Sequence, residues 1–188
     1  LAQRLTVQKL STQLQQDPDN EALARQYLAE LRRAQDFKTA AEVEAHLTAL
    51  EDKHALARLD RLRTAFADQP GDEATFLSLL GALEERELID EAAVSYRHFL
   101  DRNGDDELRA GFGRWLWRHG RPDEGLVEVD AVARAAQGLE GVRSLRGQLL
   151  AAVGRAEDAQ LDLSWALLED PEDDEAADAL NRVNASLG

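Results

Sequence analysis

Apolar residues recur three or four positions apart along the chain, in stretches that proline, glycine and acidic turns interrupt. This spacing places apolar side chains on one face of an α-helix. Ala and Leu dominate the apolar residues, which favours closely packed helices over strands. The pattern therefore predicts an all-α fold of about 10–11 helices. They lie at about 1–16, 20–34, 37–50, 54–67, 73–86, 89–101, 106–118, 122–136, 140–153, 156–169 and 172–187.

Two boundaries in the N-terminal third depend on weaker signals. DPDN at 17–20 separates the first two helices, and Asp17 is the expected N-cap of the second, with Pro18 at its first position. The apolar phase slips between Leu50 and Leu56, which predicts a break at 51–53. No glycine or proline enforces that break, so a single helix over 38–67 remains the alternative.

A repeat of 34 residues organises the C-terminal two-thirds. Three pairs of small residues stand 34 positions apart: Gly113 and Gly147, Gly120 and Gly154, Gly125 and Ala159. A fixed period of this size is typical of a solenoid in which each unit is a pair of helices. Each pair leaves an apolar face that only its neighbours cover, so the array needs several units and capped ends.

These residues resemble the tetratricopeptide repeat, whose small residues stand where the two helices of a unit, A and B, cross. Units that begin at Asp106 and Glu140 match best, the unit at Glu73 matches with Leu80 in place of a small residue, and the unit at 21–54 is weaker. The resemblance implies a right-handed superhelical solenoid of antiparallel helix pairs. We expect three parts: irregular helices over 1–72 with one weak unit and an extra helix, three regular units over 73–171, and a capping helix over 172–188.

Charge and composition narrow the function. The net charge of −15 disfavours nucleic acids and anionic membrane surfaces as partners. Residues 157–188 hold ten acidic side chains and one basic one, which suits a solvated C-terminal cap. Cysteine is absent, the histidines lack metal-ligand spacing, and no apolar run approaches membrane-spanning length. We therefore expect no catalytic, cofactor or metal site.

In the resembled family the A helices line a concave groove, and this implies a partner-binding strip. Arginine and tryptophan, both enriched at interface hot spots, make this strip basic and aromatic on an acidic protein. The strip comprises Arg25, Arg32, Arg33, Leu77, Arg114, Trp117, Arg118 and Gln148. Trp117 could instead fill the core through a one-residue shift in register. Trp115 is expected between units, and Trp165 is expected beneath the last helix.

The sequence thus predicts a non-enzymatic scaffold that holds a partner protein or peptide. A structural self-association module and a helical enzyme domain are the alternatives. Composition resembles that of proteins from GC-rich bacteria, and similar arrays in envelope machines, such as polysaccharide export or cytochrome c maturation, favour an envelope or periplasmic setting by analogy. The chain starts at Leu1 and contains no methionine, so we expect a processed form or a fragment.

Overall fold

A computed structural model describes residues 2–135 and 141–188, and over these residues the protein consists of ten α-helices and no strand. The predicted all-α class is confirmed. The helices are α1 (Ala2–Gln16), α2 (Glu21–Arg33), α3 (Phe37–Asp68), α4 (Glu73–Glu84), α5 (Ile89–Asn103), α6 (Asp106–Arg118), α7 (Pro122–Ala135), α8 (Val142–Ala152), α9 (Ala156–Glu169) and α10 (Asp174–Leu187).

The chain forms two compact units, Leu1–Thr64 and Ala65–Gly188, and α3 contributes residues to both. In the first unit α1 packs on α2, and Leu10, Leu31 and Leu47 belong to its buried cluster. In the second unit α4 pairs with α5, α6 with α7, and α8 with α9, while α10 covers α8 and α9. Short turns join the two helices of each pair, as in an αα-hairpin.

The same backbone turn follows four helices, α2, α4, α6 and α8. The second residue after the helix, or the third after α4, has a positive φ of 57–80°, and the next N–H donates to the carbonyl five residues back, at 2.8–3.1 Å. This is the Schellman motif. The left-handed residues are Gln35, Glu87, Gly120 and Gly154, all at repeat position 15 when Glu21, Glu73, Asp106 and Glu140 count as first residues. The weaker unit at 21–54 therefore has the same turn as the regular ones.

Glycine permits the close crossing of helices within the regular units. A β-carbon on Gly113 would overlap Val129, and one on Gly125 would lie 2.5 Å from the Gly113 carbonyl oxygen. A β-carbon on Gly147, on α8, would lie 2.7 Å from Leu163 Cγ on α9, the other helix of that pair. The small residues that carry the 34-residue period are thus the contact points between the A and B helices.

The predicted break at 51–53 is wrong, because α3 is one continuous helix of 32 residues. Ala40, Val43, Leu47 and Leu50 are buried as expected, as are Leu59 and Phe66. Between these two groups every side chain from 51 to 58 is exposed. The phase slip reflects this exposed stretch rather than a helix end.

Two further expectations about helix surroundings need correction. Asn20, not Asp17, caps α2, since its Oδ1 accepts from the Leu23 N–H at 3.0 Å, and Asp17 instead accepts from the Asn20 side chain. Trp165 is not beneath α10 but 49% exposed, with the Arg143 guanidinium 5.8 Å from its ring centroid. The helix α10 uses smaller side chains to bury its own inner face: Ala176, Ala179 and Val183.

Candidate functional site on α6 and α8

Two clefts lie along the surface between α6 and α8 in the second unit. One involves the N-terminal halves of both helices, with Leu108 and Arg114 on α6 and Leu145 on α8. The other involves their C-terminal halves, with Trp117 on α6 and Gln148 on α8. Because each cleft joins equivalent ends, the two helices run in the same direction and the clefts follow one another along them. Trp115, as expected, packs between helix pairs: its Nε1 donates to Glu84 on α4, in the preceding helix pair.

The second cleft is the better defined, with a volume of about 560 Å³. Trp117 is partly buried against the hydrophobic cluster of α7 to α10, and its remaining surface lines the cleft. Small side chains form much of the rest of the lining, so an apolar group could approach the indole closely. The lining residues are Trp117, Gln148, Ala151, Ala152, Gly154, Ala156, Ala179, Arg182, Val183 and Ser186.

Three exposed arginines without counterions lie on these helices: Arg182 lines this cleft, Arg114 lines the other, and Arg118 follows Trp117 directly on α6. Among the described residues, Arg114, Arg118 and Arg182 make no hydrogen bond or ion pair. Arg182 is the one basic side chain between 157 and 188, yet it pairs with none of the described carboxylates there. Arginine carries a fixed charge and five donors in a planar fork, a geometry suited to carboxylates. These guanidinium groups are thus available to a ligand.

The first cleft has a volume of about 790 Å³ and places Arg114 near a buried phenol. Tyr96 lines this cleft from α5, and burial raises the pKa of its hydroxyl. Its ring stacks on Phe112 with centroids 4.5 Å apart, which fixes the phenol against the wall of the cleft. Tyr96 therefore stays a neutral hydrogen-bonding group at physiological pH.

The predicted arginines of the first unit differ from Arg114, Arg118 and Arg182 because each already pairs with a carboxylate. Arg25 contacts Glu51 at 2.8 Å, Arg32 contacts Glu44 at 2.9 Å, and Arg33 contacts Glu30 at 2.6 Å. All three are exposed, but neighbouring carboxylates offset their charges. Leu77, on α4 in the second unit, is 55% exposed. Whether these four residues share a surface with Trp117 stays a prediction.

Sequence reasoning missed Arg182 as a site residue. It treated α10 only as a cap, although α10 begins 34 residues after Glu140 and continues the repeat. With Asp174 as first residue, Arg182 falls at repeat position 9, the position that Arg114 and Gln148 hold in the two preceding units. Extending the register by one helix would have identified it.

The paired helices, the shared turn and the glycine crossings define a fold of the tetratricopeptide-repeat type, and similarity to solved structures agrees. The chain is 20% identical to PilW, a widely conserved type IV pilus biogenesis factor, with a TM-score of 0.52 over 88% of this chain and 69% of that one. It is 13% identical to YrrB, a TPR protein with an unusual peptide-binding site, with a TM-score of 0.50 over 94% and 82%.

A third similar structure is the Naa15/Naa10 complex bound to HypK-THB, with a TM-score of 0.55, 12% identity, and coverage of 98% of this chain and 31% of that one. No protein-family model matches the chain. No curated protein matches it. The resemblance to tetratricopeptide repeats is thus confirmed at the level of the fold.

The described residues can also be compared with two other kinds of site, a membrane span and a metal centre. No helix over 2–135 and 141–188 is long and apolar enough to cross a membrane. The same residues contain no group of three or more His, Cys, Asp or Glu side chains placed to hold a metal ion. The clefts between α6 and α8 are the candidate site that the predicted residues Arg114, Trp117 and Gln148 line.

Proposed function

We propose that this protein is a non-enzymatic scaffold that holds an acidic segment of a partner protein in the cleft around Trp117. One observation supports this most directly. Three unpaired arginines, Arg114, Arg118 and Arg182, accompany an accessible indole on a protein whose net charge is −15. Water solvates these exposed guanidinium groups, so their charges and hydrogen-bond donors remain free to bind the carboxylates of a ligand.

The chemistry of the cleft fits a peptide with one apolar side chain between carboxylates. The small residues Ala151 and Ala152 leave room for the apolar side chain beside Trp117. The arginine forks would take the carboxylates by paired N–H to oxygen bonds. Gln148, whose Nε2 donates to Ser144 Oγ at 3.2 Å, keeps its amide oxygen available for a backbone N–H of the peptide.

The wider setting of this scaffold is also a proposal. We propose a bacterial envelope assembly, supported by the likeness to PilW, which is described as a pilus biogenesis factor. Arg25, Arg32 and Arg33 of the first unit would bind further carboxylates of the partner, which would replace those of Glu51, Glu44 and Glu30, and Leu77 on α4 would add an apolar contact.

A fluorescence-anisotropy titration with a synthetic peptide tests the proposal. The probe is a labelled twelve-residue peptide with a central Leu among Asp and Glu, and a Lys-substituted version serves as its counterpart. Trp117→Ala should weaken binding of the acidic peptide by about 2 kcal/mol, or about thirtyfold. Arg182→Ala should weaken it as well, and added salt should weaken it further.

Arg102→Ala is the matched control, because Arg102 is another exposed arginine of the second unit without a partner among the described residues, and it lines neither cleft. The proposal is wrong if Arg102→Ala and Arg182→Ala weaken the acidic peptide equally, or if the Lys peptide binds Trp117 as tightly. Unfolding of Trp117→Ala would instead assign that side chain to the core, and Arg182→Ala would then decide the question.

A further inference from the structure

Each of the three regular repeat units has an exposed apolar residue at the same repeat position, outside the clefts. Repeat position 22 holds Val94 on α5, Val127 on α7 and Leu161 on α9. Their exposed fractions are 49%, 65% and 60%. A single exposed apolar residue needs no explanation, but a row at one repeat position differs from random scatter. None of the three lines the clefts of α6 and α8.

The row widens on α9 into a continuous apolar ridge. Leu161, Trp165 and Leu168 are spaced four and three residues apart, so they share one face of the helix. Trp165 is 49% exposed and Leu168 is 72% exposed. The Arg143 guanidinium lies 5.8 Å from the Trp165 ring centroid and also pairs with Glu169 at 3.4 Å, which holds the indole in place. We call these three residues the α9 ridge.

Carboxylates border both ends of the α9 ridge. Glu157 and Asp158 precede Leu161 by one turn, and Glu169 and Asp170 follow Leu168 directly. Leu161 also borders a small cleft of about 210 Å³, in which Arg146 and Arg155 pair with Asp162 and Asp158. Glu157 at one end of the ridge and Asp170 at the other make no ion pair with any described residue, so both ends of the ridge remain negatively charged.

We propose that the α9 ridge docks an amphipathic helix of a partner protein, with the apolar face of that helix on Leu161, Trp165 and Leu168 and its basic residues against Glu157 and Asp170. Apolar anchors spaced by one helical turn suit this mode of recognition. The protein would then bind two chemically opposite segments, an acidic one at Trp117 and a basic one at Trp165. This inference does not depend on the acidic ligand of the cleft.

The charges at the ends of the ridge favour a basic amphipathic helix over two other possible partners, a second copy of the chain and an anionic lipid surface. A second copy placed symmetrically on the α9 ridge would bring Glu157 and Asp170 close to the same acidic residues of the other copy. An anionic lipid surface would be repelled by the same side chains. A basic amphipathic helix relieves both conflicts, because it covers the apolar surface and neutralises its border.

Tryptophan provides a direct readout in the full chain. The protein has three tryptophans, and the indole ¹⁵N–H signal of each is assigned with a Trp→Phe variant. The probe is an eighteen-residue peptide with Leu along one helical face and Lys elsewhere, and its control has the same composition in scrambled order. The ordered peptide should shift the Trp165 signal and leave the Trp115 signal, whose N–H donates to Glu84, unchanged.

Binding constants by fluorescence anisotropy complete the test. The ordered peptide should bind at least fivefold more tightly than the scrambled one. The double variant Leu161→Ser with Leu168→Ser should weaken its binding about tenfold, and Glu157→Lys should weaken it about threefold. Leu5→Ser, which removes a leucine of the first unit that is 61% exposed, is the matched control and should have no effect.

Three outcomes would overturn the proposal. Equal affinity for ordered and scrambled peptides would show nonspecific attraction to an acidic protein. Concentration-dependent sedimentation that the double leucine variant abolishes would assign the ridge to a second copy. Binding to vesicles of phosphatidylcholine and phosphatidylglycerol that shifts the Trp165 signal would assign it to a membrane surface.

Discussion

The crossing of α6 and α7 permits a quantitative prediction at Gly125. A β-carbon there would lie 2.5 Å from the Gly113 carbonyl oxygen and 3.3 Å from Leu149 Cδ2. Real β-carbons essentially never approach another heavy atom closer than 3.0 Å. Since the oxygen belongs to the backbone of α6, no side-chain rotation relieves the overlap. In Gly125→Ala the two helices must therefore separate by about half an ångström in a closely packed interior.

The size of the effect follows from two opposing contributions. Overpacking of this kind costs about 1–3 kcal/mol. Alanine in place of glycine inside a helix gains about 1 kcal/mol. Gly81→Ala measures the gain alone, because a β-carbon on Gly81, within α4, meets nothing within 4 Å. We expect Gly81→Ala to stabilise by about 0.5–1 kcal/mol and Gly125→Ala, once the gain is subtracted from the cost, to destabilise by about 0–2 kcal/mol.

Urea denaturation followed by far-ultraviolet circular dichroism measures both free energies of unfolding. The difference between the two variants isolates the crowding cost at the helix crossing. In thermal scans it should separate their Tm values by several degrees, since about 1 kcal/mol corresponds to about 2–4 °C in a chain of this size. A Gly125→Ala variant as stable as Gly81→Ala would refute the close crossing.

Three further predictions concern the turn, the last helix and an ion pair. Glu87→Gly should stabilise by about 1 kcal/mol in urea denaturation, because Glu87 has a φ of 57°, whereas Glu85→Gly, at a φ of −54°, should destabilise. Deleting 172–188 removes buried Ala and Val contacts and should lower stability by about 3 kcal/mol or more; an unchanged Tm would show that α10 does not dock. Hydrogen bonds from Arg121 and Arg97 lower the pKa of Glu124. Glu124→Gln should therefore lower the free energy of unfolding by about 0.5 kcal/mol at pH 7, and this difference should disappear as pH falls through the lowered pKa. A difference that does not depend on pH would contradict this.

The repeat was predictable from sequence because its contact points are glycines. Gly113, Gly125 and Gly147 stand where helices touch, and no other residue fits there without displacement. The recurring turn was predictable only where glycine fills it. Gln35 and Glu87 adopt the same left-handed conformation without a glycine, so backbone hydrogen bonds alone reveal the turn in those units.

Residue types alone do not show what tertiary contacts decide. The charge of Arg25 is offset by Glu51, 26 residues away, and residue types alone do not show such pairing. Trp165 was expected beneath α10, but α10 buries alanines and a valine instead. Of the predicted site residues, Trp117 and Gln148 line one cleft. Arg182 lines it too, and it was missed because α10 was interpreted only as a capping helix.

The exposed middle of α3 should exchange its amide protons faster than the rest of the helix. From 51 to 58, about two turns, no side chain is buried, so opening these turns exposes little apolar surface. The flanking turns hold Leu50 and Leu59, whose amides open only when buried contacts break. We therefore expect hydrogen exchange to find a fast-exchanging segment between two slow ones in this one helix, so that hydrogen bonds of the same geometry differ in lifetime along its length.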